Sequence, residues 1–400
     1  MNTLLLSWRY LWSRPLAASL NLLLLTLGLA AITFVMLASH QINRAFERDL
    51  AGIDVVVGAK GSPMQLILSG VFHIDAPTGN IPLAAAKELQ ANPQVAKLIP
   101  ISLGDNFRGF RIVGTSFDYP KLYGAVLADG ALWTQPMQAV VGSQVARQTG
   151  LAVGNSFVGL HGLGGGGHAH GDTPYQVTGV LKPSGSVLDR LILTSTESVW
   201  VVHEKDMALD AEDLKILQQD RELTLALIQY ASPMSAVTFP RFVNTTTEMQ
   251  AAAPALEITR LLTMLGVGTD MLKALAGVLL LTAGLSVFIA LWSAVRERRA
   301  DLALLRMLGA PPRKIASLLL CEALWLALLA CVLGMAAGQG LMALLAWALQ
   351  MDKSVSLTMF VWPMALALVP VLALGVAWAA SLLPAWEAYR VSVFELLQTR

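Results

Sequence analysis

Three of the chain's six histidines crowd into one tract, His161-Gly162-Leu163-Gly164-Gly165-Gly166-Gly167-His168-Ala169-His170-Gly171-Asp172. Neutral imidazoles with a carboxylate suit Zn²⁺ and similar ions, and short histidine-rich tracts are a compositional sign of metal binding. The glycines leave the backbone free to fold around an ion. His161, His168, His170 and Asp172 are therefore candidate zinc ligands. The competing reading is a solvated insertion that happens to carry histidine. Ordering such a segment costs about 1–2 kcal/mol per residue, so a site built on it alone has modest affinity.

A second concentration of polar side chains follows a long apolar run: Arg296, Glu297, Arg298, Arg299, Asp301, Arg306, Arg313 and Lys314. A helix from about Val295 to Leu308 presents Leu304, Leu305 and Leu308 with Arg298 and Arg306 around them. Gly309 is a natural stop, and Pro311-Pro312 prevents continuation. An exposed apolar patch ringed by arginine suits a protein partner. The alternative is that these arginines only touch lipid headgroups. Glu322 lies some two turns into the next apolar run. A carboxylate there costs a few kcal/mol unless paired or near the interface, so an ion pair with a loop arginine is expected.

Other chemistry is thinly represented. Ser184-Gly185-Ser186 and Asp189 lie near His203 in sequence, but no nucleophile elbow accompanies them, and a hydrolase is not expected. Cys321 and Cys331 sit ten residues apart in one apolar run, ~15 Å along a helix, too far for a disulfide. A formal net charge of +1 argues against nucleic acid as a partner.

The elements that position these groups are set by a shortage of charge: 14% of residues against 55% hydrophobic, where globular chains run near a quarter charged. A bilayer core of ~30 Å needs about 20 apolar residues in a helix, and four stretches qualify. Pro15 to Ser39 and Ala274 to Val295 carry no charge, Lys314 to Asp352 encloses only Glu322, and Lys353 to Glu387 encloses none. The first stretch is too long for a secretory h-region, and Met36 occupies the −3 position before a cut after Ala38; a retained anchor is expected. Before it, Leu4, Trp8, Leu11 and Trp12 share one helical face with Arg9 and Arg14 nearby. That pattern fits an interfacial helix or a frayed start to the span.

Lys and Arg in short loops set orientation. The loop after the second run holds six of them, and the loop after the third holds only Lys353. Both termini are thus expected in the cytoplasm, with everything from His40 to roughly Thr263 outside. The expected plan is a membrane α-helical protein of four spans, with an extracytoplasmic α/β domain inserted between the first two and carried on a helical stalk. Its segments are an interfacial helix (1–14), spans at 15–39, 264–295, 315–349 and 355–384, an outer domain with stalk (40–263), a cytoplasmic loop (296–314) and a tail (385–400). Glu257, Arg260, Asp270 and Lys273 recur at helical spacing and extend the second span outward. Gly334 and Gly338 allow close helix approach, and Pro363 and Pro370 predict a kink in the fourth span. In the outer domain, Ile53–Val57, Phe110–Val113, Ala139–Val141 and Tyr175–Leu181 read as strands. Met64–Phe72, Pro82–Ala91 and Ser143–Thr149 read as helices.

The run Arg296-Glu297-Arg298-Arg299-Ala300-Asp301-Leu302-Ala303-Leu304-Leu305-Arg306-Met307-Leu308-Gly309-Ala310, with Glu322 beyond it, resembles the signature segment of MacB/FtsX-type ABC transporter permeases. Asp54 to Gly61 resembles the opening of their periplasmic domain, and Val141 to Ala146 and Val177 to Leu181 its later part. Leu382 to Arg390, with Glu395-Leu396-Leu397, resembles their C-terminal end. Each segment alone is weak; in this order around four spans they are specific. The resemblance implies a non-catalytic permease subunit in a bacterial inner membrane, paired with a second copy or a sister permease. It further implies that Arg296, Glu297, Arg298, Asp301, Leu304, Leu305, Arg306, Leu308, Gly309 and Glu322 form the coupling element to a cytoplasmic ATPase. The dipeptide Gly-Lys is absent from the sequence, so no G-x-x-x-x-G-K-[ST] loop is present, and ATP is expected on a partner subunit. Export, lipoprotein release or ligand transport would follow, with a periplasmic or outer-membrane partner. The alternatives are an FtsX-like scaffold that activates an extracytoplasmic enzyme, and a zinc-linked ABC system. The histidine tract departs from the family pattern.

Overall fold

The computed structural model describes residues 3–162, 173–207, 211–351 and 362–390. The chain opens with helices Thr3–Leu11 (α1) and Pro15–Leu50 (α2). There follow Val55–Ala59 (β1), Pro63–Gly70 (α3), Ile81–Pro82 (β2), Leu83–Gln90 (α4), Val95–Phe107 (β3), Phe110–Thr115 (β4) and Asp118–Leu122 (α5). Next come Leu127–Gly130 (β5), Gln138–Val141 (β6), Ser143–Thr149 (α6), Ser156–Phe157 (β7), Leu160–His161 (β8), Tyr175–Leu181 (β9) and Ile192–Ser195 (β10). Thr196–Met207 (α7), Ala211–Gln219 (α8), Glu222–Leu223 (β11), Leu225–Tyr230 (β12), Ser235–Thr246 (α9) and Met249–Ala252 (β13) complete the α/β part. Pro254–Glu297 (α10), Arg299–Met307 (α11), Pro312–Met351 (α12) and Leu368–Arg390 (α13) finish the chain.

Two units result. One comprises 1–42, 265–348 and 358–400; the other comprises 43–264 and 349–357. In the first, among the described residues, four helices are long and apolar enough to cross a membrane. α2 packs against both α12 and α10. A Cβ on Gly334 would lie 2.7 Å from Leu29 Cβ, and one on Gly338 would lie 2.6 Å from Thr33 Cβ. The small-residue pair of α12 is thus spent on α2 of the same chain. Ser286 of α10 donates to Asn21 Oδ1 of α2 at 2.5 Å, closing a polar pair inside the bundle. Of the two prolines expected to kink the fourth span, Pro363 stands just before it and Pro370 near its start, the span running Met364–Arg390. Pro363 precedes a 3-10 turn at Met364–Ala367, Pro370 falls in the first turn of α13, and the interior proline is Pro384. A first-turn proline costs α13 itself no helical hydrogen bond, so Pro370 is tolerated where it stands. α1 is a separate helix: Trp12, Ser13 and Arg14 divide it from α2, and the Trp8 ring meets Trp325 edge-on at 5.2 Å.

The second unit is an α/β domain around a sheet in the order β13-β1-β12-β3-β4-β10-β6-β9-β5, with β7 on β9 and β8 on β3. The β10–β4 and β6–β9 pairs are parallel; the others are antiparallel. Val56, Ile99, Ile101 and Leu227 enter one core layer, and Val55, Val57, Ala226 and Ile228 enter the opposite one. Both faces are covered, which is why Val55–Val57 is an unbroken β-branched run without a polar alternate. Gly142, between β6 and α6, could carry no side chain: a Cβ there would sit 2.1 Å from the Leu188 carbonyl oxygen.

A buried polar layer lies in this domain. His73 Nε2 and the Tyr119 hydroxyl are 2.8 Å apart, Arg111 donates to the Asp75 carbonyl at 2.6 Å, and Arg190 donates to the Phe72 carbonyl at 2.5 Å. Burial, reinforced by the charges of Arg111 and Arg190, holds His73 well below the usual imidazole range. Burial also lowers Arg111, to about 10.

Candidate functional site

The arginine-rich segment is one candidate site. α10 runs through Arg296 to Glu297, and the chain then leaves helical geometry at Arg298, whose φ is −95° and ψ 13°. The single helix expected from Val295 to Leu308 is broken there, and the side chain gives the reason. Arg298 Nη1 lies 3.1 Å from Glu322 Oε1 of α12. Its Nη2 donates to the Tyr10 carbonyl at 3.0 Å and to Ser13 Oγ at 2.8 Å, and its Cζ stands 4.6 Å from the Tyr10 ring centre. One guanidinium therefore joins the α10–α11 junction, the end of α1 and the start of α12. The break is backbone-neutral: Arg298 N–H still donates to the Ala294 carbonyl, and Leu302 N–H to that of Arg298.

Around this hub, Glu297 pairs with Arg14, and Arg299 Nη2 reaches Glu387 Oε1 of α13 at 2.7 Å. Arg296 is exposed and lies 5.8 Å over the Trp292 ring; Asp301 is exposed. α11 turns Leu302 and Ala303 inward, holds Leu305 and Arg306 half-buried, and leaves Leu304 53% and Leu308 84% exposed. Met307, not singled out by sequence reasoning, adds to that outer ridge at 57% exposure. Gly309, at φ +91°, adopts the left-handed turn that ends the helix. Behind the ridge is a cleft of about 200 Å³, lined by Leu6, Leu302, Leu305, Leu308, Pro311 and Ile315. Geometrically this is a pinned, amphipathic hook with an apolar outer edge.

The histidine tract is only partly within view. His168, His170 and Asp172 lie outside the described residues, and His161 stands at the end of β8. There His161 is paired in register with Asp105 of β3, Nδ1 to Oδ1 3.4 Å. His203 of α7 faces the same point, its ring centre 5.4 Å from that of His161. The ligand atoms of Asp105, His161 and His203 all lie within 4.8 Å of one another. Sequence reasoning missed Asp105 and His203 because they are 98 positions apart and no spacing links them. The one sequence signal was local: Gly104, Asp105 and Asn106 interrupt an apolar strand. Ser184 does not meet a histidine. Its hydroxyl lies 2.7 Å from that of Ser186 and 3.1 Å from Asp189 Oδ1, a hydrogen-bonded turn.

A four-span membrane protein with an extracytoplasmic α/β domain between its first two spans is what this fold defines. Residues 18–211 match the MacB-like periplasmic core domain, and residues 273–393 match the FtsX-like permease C-terminal domain. The chain is thus a MacB/FtsX-type ABC transporter permease. Among curated proteins it resembles the pyoverdine export ATP-binding/permease protein PvdT of Pseudomonas putida, at 23% identity over 84% of this chain and 51% of that protein. It resembles the PvdT of Pseudomonas fluorescens at 23% identity over 84% of this chain and 50% of that protein. The chain therefore spans about half the length of the curated relatives it matches. Among solved structures, the periplasmic region of MacB from Actinobacillus actinomycetemcomitans aligns at 10% identity and a TM-score of 0.34, covering 54% of this chain and 95% of that one. The extracellular domain of the Gram-positive transporter YknZ aligns at 12% identity and a TM-score of 0.31, covering 49% of this chain and 98% of that one.

Proposed function

We propose that this permease converts ATP hydrolysis by a separate cytoplasmic ATPase subunit into movement of its outer domain, serving export, lipoprotein release or transport of an extracytoplasmic ligand. The observation that carries the reading is the Arg298 hub. A push on the exposed ridge of Leu304, Met307 and Leu308 meets a short helix that cannot slide independently. Arg298 ties its base to α1 and α12, and Arg299 ties it to α13. Displacement of α11 is therefore passed to several membrane helices together. α2 and α10, of 36 and 44 residues, are about 54 and 66 Å long at ~1.5 Å per residue. Each is longer than a bilayer core needs, and they are the segments through which the chain enters and leaves the α/β part. In this reading they form the stalk.

Orientation follows the arginines: both termini and α11 lie on the cytoplasmic side of a bacterial inner membrane. The exposed apolar face of α10, with Met271, Leu275, Val278 and Leu285 each more than 50% exposed, is the surface offered to a second copy or a sister permease. The test is co-purification of the full chain with its cognate ATPase, with hydrolysis measured in lipid nanodiscs. Cysteine placed at Leu308 should cross-link to the ATPase. If it labels only from the outer side of sealed cells, the orientation and the mechanism both fail.

A further inference from the structure

We propose that Asp105, His161 and His203 form a binding site for a divalent transition metal ion of the zinc class on the outer domain. Three separate elements deliver the ligands: β3, β8 and α7. The donor set, two imidazoles and one carboxylate, is one that zinc accepts. Zinc at ~2.1 Å from each of its ligands in tetrahedral geometry spaces those ligands about 3.4 Å apart. The Asp105–His161 pair already stands at 3.4 Å, and no ligand pair exceeds 4.8 Å. Closing the set asks only for rotamer adjustment at His161, which is 55% exposed, and at the half-buried His203.

Two further features belong to a built site. His203 Nδ1 lies 2.8 Å from the Val199 carbonyl oxygen, one helical turn back. A carbonyl can only accept, so Nδ1 carries the proton and Nε2 presents its lone pair. This is the orienting hydrogen bond that metal-binding histidines use. The approach to the cluster is lined by glycine. A Cβ on Gly104 would stand 3.2 Å from His203 Nε2, and one on Gly159 would stand 3.4 Å from Asp105 Oδ2. Any larger residue at Gly104 would crowd the ring nitrogen that has to reach the ion. Asp105 is 4% exposed, so its carboxylate is held in place by the strand and does not wander in solvent. With three protein ligands the ion keeps an open position, as exchangeable and catalytic zinc sites do. His203 also lines a cleft of about 320 Å³ with Trp200, Arg221 and Glu222.

The experiment uses the full chain, tag-free, in detergent, stripped with chelator and titrated with Zn²⁺ by calorimetry, with bound metal counted after desalting. One zinc per chain is expected, and Asp105→Asn, His161→Ala and His203→Ala should each weaken binding at least tenfold. His161 is exposed, so its variant reports binding without a folding cost. Co²⁺ substituted into the wild type should give the intense visible absorption of a tetrahedral site, lost in His161→Ala. The absence of stoichiometric zinc in the wild type overturns the proposal. So does binding that survives Asp105→Asn and His203→Ala but disappears in a His168→Ala/His170→Ala variant, because the tract alone would then hold the ion. The outcome does not depend on the ATPase, so it can fail or succeed independently of the coupling function.

Discussion

Arg298 Nη1 stands 3.1 Å from Glu322 Oε1, with the two side chains 13% and 5% exposed. A guanidinium from a loop and a carboxylate from an apolar helix are each costly to bury alone, and removing one partner of a buried pair typically costs on the order of 3–5 kcal/mol. The pair fixes where α11 sits against α12.

Glu322→Gln should leave the chain inserted and the ATPase bound but uncouple the two. ATPase stimulation by the permease is expected to drop several-fold, and the melting temperature in detergent to fall. Arg298→Ala should do the same, and the double variant should be less than additive, because both substitutions remove one interaction. Unchanged stimulation in Glu322→Gln would falsify the coupling role of the pair.

Leu308 is 84% exposed and Leu304 53%, so charge there costs the isolated permease little, within about 0.5 kcal/mol. In a docked complex the same residues would be central apolar anchors, worth about 2 kcal/mol or more each. Leu304→Asp and Leu308→Asp should therefore weaken ATPase association by about thirtyfold at unchanged melting temperature, as measured by co-purification and thermal shift. Equal loss of both would mean that the ridge is structural.

Gly338 leaves no room for a side chain, since a Cβ would sit 2.6 Å from Thr33 Cβ and 2.9 Å from the Ala30 carbonyl oxygen. Gly338→Leu should force α12 off α2 and destabilise the bundle by about 1–3 kcal/mol, lowering the temperature of its unfolding transition. Gly340→Ala, two residues away with open space around its Cβ position, should be silent in the same assay.

His73 is buried and neutral in the folded domain, its pKa lowered by desolvation and by Arg111 and Arg190. The unfolded chain binds a proton below about pH 6.5, whereas the folded one does not until much lower. Stability is therefore full above that value and is lost as pH falls beneath it, by up to ~1.4 kcal/mol per pH unit. The full chain should melt at a lower temperature at pH 5.5 than at pH 7.5, and His73→Gln should flatten that slope. A slope that is the same in both proteins would place the acid sensitivity elsewhere.

The four spans and their order around an outer domain are legible in the residues themselves. Hydrocarbon imposes a local rule, about 20 uncharged residues per helix, and that rule needs no knowledge of what packs against what. The three-dimensional structure alone decided which arginine meets Glu322, because the loop sequence offers six cationic side chains and only the packing of the helices selects Arg298. It also decided that Gly334 and Gly338 face α2 of the same chain. The Asp105–His161–His203 group was unreadable for the same reason. Its members approach only because β8 pairs with β3 and α7 lies against that strand, and strand pairing is a long-range choice that linear spacing does not encode.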